Sequence, residues 1–202
     1  MPNWCSNNIV ITGSKENMKP LVEKFRALED TEENVMETII GTPDKPKNYD
    51  GGGWYNYNCE RFGCKWDFPA DDIPTLSIED ERIEFDCMTA WAPPNAFLEN
   101  LCKMYKVEAV MKYAEPGMDF AGVFSVDEEG GGDESMSYLE GVYHLFDHFW
   151  EDVDMYAEMA VENEEETLDD FMEQFDFITN DNEIDEIKQV YLNHIEMKKT
   201  FD

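Results

Sequence analysis

Near the start of the chain Asn7 to Thr12 (NNIVIT), with its run of β-branched residues, predicts a first strand, closed by Gly13-Ser14. A helical period follows. Met18, Leu21, Val22, Phe25 and Leu28 recur at three and four, which predicts a helix over residues 17–28 capped by Ser14 or Asn17. Residues 41–58 show no period and contain Gly51-Gly52-Gly53-Trp54, the composition of a long connection. Ile83, Phe85, Cys87 and Thr89 recur at every second position and predict a strand from Arg82 to Thr89. Pro93-Pro94 leads into a short helix through Phe97, Leu98, Leu101 and Cys102, with proline early in its first turn. Two more strands are predicted at 106–114 and 120–126, separated by Glu115-Pro116-Gly117. The stretch between the first helix and Arg82 has room for one further strand. This order implies a ferredoxin-like α+β sandwich over residues 1–126.

Residues 127–137 read as an acidic, Gly-rich linker or hairpin, and from 138 to 202 the period is helical. Leu139, Val142, Phe146, Phe149, Val153, Tyr156 and Ala160 form one stripe. Leu168, Phe171, Met172, Phe175 and Ile178 form a second, and Ile184, Ile187, Tyr191 and Ile195 a third, with Asn182 as its expected cap.

Charge changes how this last region is read. The chain carries a net charge of −32, and between Tyr113 and Ile187 there is no Lys or Arg while 25 Asp and Glu occur. An adaptation to salt would spread acids evenly, yet the first 101 residues hold 19 acids and 9 bases and the last 101 hold 28 and 6. Thirteen Phe, nine Tyr and five Trp supply a core, so this is not a disordered acidic tail. Such a field repels nucleic-acid backbones and anionic membranes and attracts basic proteins. Residues 162–170 (ENEEETLDD) place six acids in nine positions, read as a helix start where first-turn N–H groups relieve them. No 18-residue apolar run and no signal-peptide pattern appear, and five irregularly spaced cysteines suggest reduced thiols, so a cytoplasmic location is expected.

Chemical motifs are sparse. Cys59-x4-Cys64 lacks a second pair at zinc spacing. His144 and His148 fall one helical turn apart and are weak metal candidates, since HLFDH lacks the glutamate of HExxH. DNEIDEI departs from an EF-hand loop, and Gly51-Gly52-Gly53 is not followed by Lys-Ser/Thr. No cofactor and no catalytic residue is expected, although 47 acids leave carboxylate chemistry open.

Four blocks carry a resemblance: MPNWCSN at the N-terminus, CERFGCKWD at 59–67, TAWAPP at 89–94 and YAEPGMDFAG at 113–122. Together they resemble the YubB-like ferredoxin-fold family of phage and plasmid proteins, over residues about 1–126. The resemblance implies the α+β fold and a mobile-element origin; it implies no chemistry. Trp4, Trp66 and Trp91 either line a groove with Lys65, Asp67, Glu115 and Asp119 or pack loops over one end of the sheet.

The charge pattern and the resemblance lead to one expectation: an anti-defence protein of a mobile element, acting as an anionic nucleic-acid mimic. It would block a basic nucleic-acid-binding host protein, such as a CRISPR effector or nuclease, through Glu162, Glu164, Glu165, Glu166, Asp169, Asp170 and Glu173. A ligand-binding protein or enzyme using the tryptophans, and an assembly protein, are the alternatives.

Overall fold

The structure is a computed structural model that describes residues 3–29, 31–163 and 166–201. The chain divides into two compact units between Met136 and Ser137.

In the first unit the elements run β1 (Trp4–Thr12), α1 (Lys15–Leu28), α2 (Val35–Ile40), α3 (Gly53–Phe62), β2 (Leu76–Ile78), β3 (Arg82–Ala90), α4 (Asn95–Tyr105), β4 (Glu108–Glu115), β5 (Phe120–Val126) and β6 (Gly131–Met136). The sheet order is β2-β3-β1-β4-β5-β6, with every neighbouring pair antiparallel. Its first four strands have the ferredoxin-like order, and a β5–β6 hairpin extends the sheet beyond β4. The expected extra strand before Arg82 is β2. The segment read as a linker or hairpin supplies β6, an exposed strand at the sheet edge.

Alternation along each strand sets which face is covered. Cys5, Asn7, Ile9 and Ile11 of β1 are buried, as are Ile83, Phe85 and Cys87 of β3. They pack with Met18, Leu21 and Phe25 of α1 and Phe97, Leu98 and Leu101 of α4, and the Phe25 and Phe85 rings lie 5.3 Å apart. Ser14 caps α1, its hydroxyl accepting from Asn17 N–H at 3.3 Å. Asn7 ties β1 to β3, its side-chain amide donating to Cys87 O and to Thr89 Oγ1.

Two helices go beyond the sequence expectation, although the first carries a short helical stripe in Val35, Met36, Ile39 and Ile40, all buried. One is α2, and the other is α3, inside the stretch read as a connection; α3 buries only Asn58 and Phe62 and ends at Gly63, whose φ of 87° needs no Cβ. The five cysteines are not bonded to one another, and four are buried. Burial pushes the Cys64 thiol up to about 12 and keeps it neutral.

The second unit contains α5 (Tyr138–Leu145), α6 (Phe149–Glu162), α7 (Leu168–Glu173) and α8 (Asp181–Phe201). The first predicted stripe is split, because Phe146 is extended (φ −129°, ψ 165°) and ends α5. Phe149, Val153, Ala157 and Ala160 of α6 are buried with Phe171, Phe175, Ile187 and Tyr191. The Phe171 and Tyr191 rings stack at 5.0 Å. Asn180, not Asn182, caps α8: its side-chain oxygen accepts from Asn182 N–H at 3.0 Å. Among the described residues no helix is long and apolar enough to cross a membrane.

Candidate functional site

Helix α6 turns one face inward and exposes acids together with Trp150, Met155 and Met159. Glu151, Asp154, Glu158 and Glu162 are exposed at steps of three, four and four, so they form a single ridge opposite Phe149, Val153 and Ala160. At 1.5 Å of rise per residue the carboxylates follow one another every ~4.5 to 6 Å along the axis. Met155 and Met159, exposed by 42% and 60%, flank this ridge. One member is paired, Asp154 Oδ1 lying 2.9 Å from His194 Nε2 of α8.

The acid-dense run expected to open a helix does so only from Thr167. Thr167 and Asp170 form a capping box at the start of α7, and these hydrogen bonds hold the Asp170 carboxyl below its ordinary range. Asp169 is exposed in the same first turn. Glu162, by contrast, ends α6, where the helix dipole opposes a negative charge. Glu166 is half-buried and accepts from Gln174 Nε2 at 3.2 Å, while Glu173 is exposed at the end of α7. Glu164 and Glu165 lie outside the described residues. Glu151, Asp154 and Glu158 lie outside that acid-dense run. The spacing of the buried stripe also marks its exposed complement, which is less dense in sequence than residues 162–170.

The first unit brings the tryptophans together. Trp4 and Trp66 meet edge-on with ring centroids 6.4 Å apart. Lys65 Nζ sits 4.4 Å from the Trp66 ring and 5.8 Å from that of Trp91. The segment between α3 and β2 is held by backbone: Lys65 N–H donates to Ala90 O, and Lys65 O accepts from the Asn58 amide. Trp91 adopts φ 75°, an uncommon conformation for an aromatic residue, and its N–H donates to Asn3 O at 2.9 Å. Beside Trp4 and Trp66 lies a groove of about 400 Å³, completed by Phe68, Pro69, Met88, Asp67 and Asp72.

The four polar groups expected around the tryptophans do not form one cluster. Lys65 belongs to the rings. Asp67 caps α2 from a distance in sequence, Oδ1 accepting from Met36 N–H at 2.9 Å and Oδ2 from Glu37 N–H at 2.7 Å. Burial nevertheless outweighs these bonds and raises its carboxyl to about 6. Glu115 is 1% exposed and accepts from Gly117 N–H at 2.8 Å, which closes the turn between β4 and β5. Asp119 ends that turn at φ 53°.

The two histidines are not on one helix face. His144 lies on α5, but the extended Phe146 intervenes and His148 becomes the residue preceding α6, its Nε2 3.5 Å from Asp152 Oδ2. Among the described residues no group of three His, Cys, Asp or Glu side chains is placed to hold a metal ion.

Comparison with known proteins gives a family model, described as a ferredoxin-like domain in Api92-like protein, that matches residues 65–169. The match continues past residue 126, where the resemblance drawn from sequence ended, through α5 and α6. The crystal structure of a protein Api92 from Yersinia pseudotuberculosis is similar with a TM-score of 0.40 at 10% identity, over 68% of this chain and 98% of that one. No curated protein matches the chain.

Proposed function

We propose that this chain, which belongs to the family defined by the ferredoxin-like domain in Api92-like protein, is an anionic nucleic-acid mimic that occupies the basic groove of a nucleic-acid-binding protein. The observation that supports this reading most is the α6 ridge of Glu151, Asp154, Glu158 and Glu162 on an ordered helix. A mimic needs charge that is spaced and held, and a folded helix provides both. The four carboxylates span eleven residue steps, giving roughly one charge per 5.5 Å of axis, against about 3.4 Å per phosphate along one DNA strand. Exposed Asp169, Glu173 and Asp176 of the same unit add to that density. The absence of Lys and Arg from 113 to 187 leaves this surface without neutralising bases from its own segment. An origin in a mobile element, with a host defence nuclease or guide-RNA effector as the target, fits such a surface.

The test is affinity capture from host lysate with the wild-type chain and with a variant carrying Glu151→Gln, Asp154→Asn, Glu158→Gln and Glu162→Gln. Wild type should retain basic nucleic-acid-binding proteins that duplex DNA or raised salt displaces, and the variant should release them. Capture that withstands excess duplex DNA, or that the variant performs equally well, would sink the mimic reading.

A further inference from the structure

The groove beside Trp4 and Trp66 is apolar in its walls and acidic at its rim. Trp4 and Met88 reach it from adjacent strands: Trp4 pairs with Ala90 and Ser6 with Met88, so the two side chains are diagonal neighbours on one face of the sheet. Trp66, Phe68 and Pro69 come from the segment leading to β2. Trp4 remains 44% exposed, and so does Met88, so the groove is open to a partner.

Two features fix the sign of its ligand. Asp67 and Asp72 both line the groove. Asp67 is committed to the N-terminus of α2, whereas the exposed Asp72 carboxylate has no side-chain partner among the described residues. Lys65 Nζ lies 4.4 Å from the Trp66 centroid but does not line the groove, so the charged groups that line it are the two aspartates. Aromatic faces attract cations, and the chain's charge of −32 draws them in from a distance. A nucleobase would stack on these rings equally well, but its phosphates would be driven off by that field.

We infer that this groove takes the guanidinium group of an arginine side chain on a partner protein, with ring walls against the planar cation and Asp72 accepting its N–H groups. Arginine suits the geometry better than lysine because its head is flat, weakly hydrated and able to stack while donating in plane. The site lies in the first unit and does not depend on the α6 ridge, so either reading can fail alone.

The experiment follows the indole N–H signals of the five tryptophans in the ¹⁵N-labelled full chain. N-acetyl-arginine N-methylamide is titrated in, and then its citrulline counterpart, which has nearly the same shape without the charge. The arginine probe should shift the Trp4 and Trp66 signals saturably, the citrulline probe should not, and Trp54 and Trp150 should stay still. Asp72→Asn, a surface change whose amide spectrum reports an intact fold, should weaken the arginine probe about tenfold. No response at Trp4 and Trp66, an equal response to citrulline, shifts spread over all five indoles, or unchanged affinity in Asp72→Asn would each overturn the assignment.

Discussion

Three backbone N–H groups converge on one carboxylate, because Asp67 accepts from Phe68 as well as from Met36 and Glu37. Asp67→Ala leaves the first turn of α2 without its acceptor and should cost ~1 to 3 kcal/mol of unfolding free energy, read from urea denaturation at neutral pH. The residue also carries a pH signature. Its carboxyl titrates near 6 in the folded chain, against roughly 3.9 when unfolded. Between those values the folded state holds more protons. This residue's contribution therefore makes stability fall as pH rises from about 4 to about 6, a slope that Asp67→Ala should lack. Asp170 works in the opposite sense: its lowered carboxyl supports the fold above the unfolded value and loses that support as pH falls through its folded one. Neither role was visible in sequence. Proximity along the chain places Asp67 beside Trp66, while the helix it caps begins more than thirty residues earlier.

At the scale of elements, legibility followed hydrophobic period. Strands β1 and β3 and helices α1 and α4 bury one face in a regular rhythm and were read within a few residues of their ends. Helix α3 is illegible in sequence because GWYNYNCERF has no apolar stripe to show; its start and end are set by glycines at positive φ. The stripe from Leu139 to Ala160 was read as one, since its period carries across the extended Phe146. Helix α6 also holds a cost that its function would explain. Glu158 stands four residues from both Asp154 and Glu162, two like-charge pairs on one face. Glu158→Lys turns both repulsions into attractions and should raise stability by about 0.5 to 1 kcal/mol in thermal or urea unfolding. A fall in stability would mean that Glu158 makes a favourable contact which the ridge description leaves out. If the ridge is the binding surface, the same substitution should weaken capture of the basic partner.

Across the whole molecule the sequence was most informative about charge and least about where charge gathers. Composition located the surplus in the region after Tyr113, but α6 concentrates it into a ridge only because Phe149, Val153, Ala157 and Ala160 turn the opposite side inward. The tryptophans from separate segments met because β1 and β3 place Trp4 beside Ala90 and the chain then doubles back through Trp91. Charge surplus has a second consequence, at the rim of the sheet. Strand β6 leaves a row of backbone donors and acceptors with no neighbouring strand among the described residues; Glu134 stands exposed there, while Asp133 is tied to the sheet by the Tyr113 hydroxyl, which donates to it at 2.6 Å. With a sequence pI of about 4.1, acidification toward that value removes the mutual repulsion between copies. Edge-to-edge strand pairing between molecules then becomes the route to precipitation. A Cβ added at Gly132 meets nothing within 4 Å, so Gly132→Lys is accommodated and keeps a charge on the edge in acid. Light scattering during acidification should show wild type clouding at a higher pH than Gly132→Lys; identical onsets would place the first intermolecular contact elsewhere.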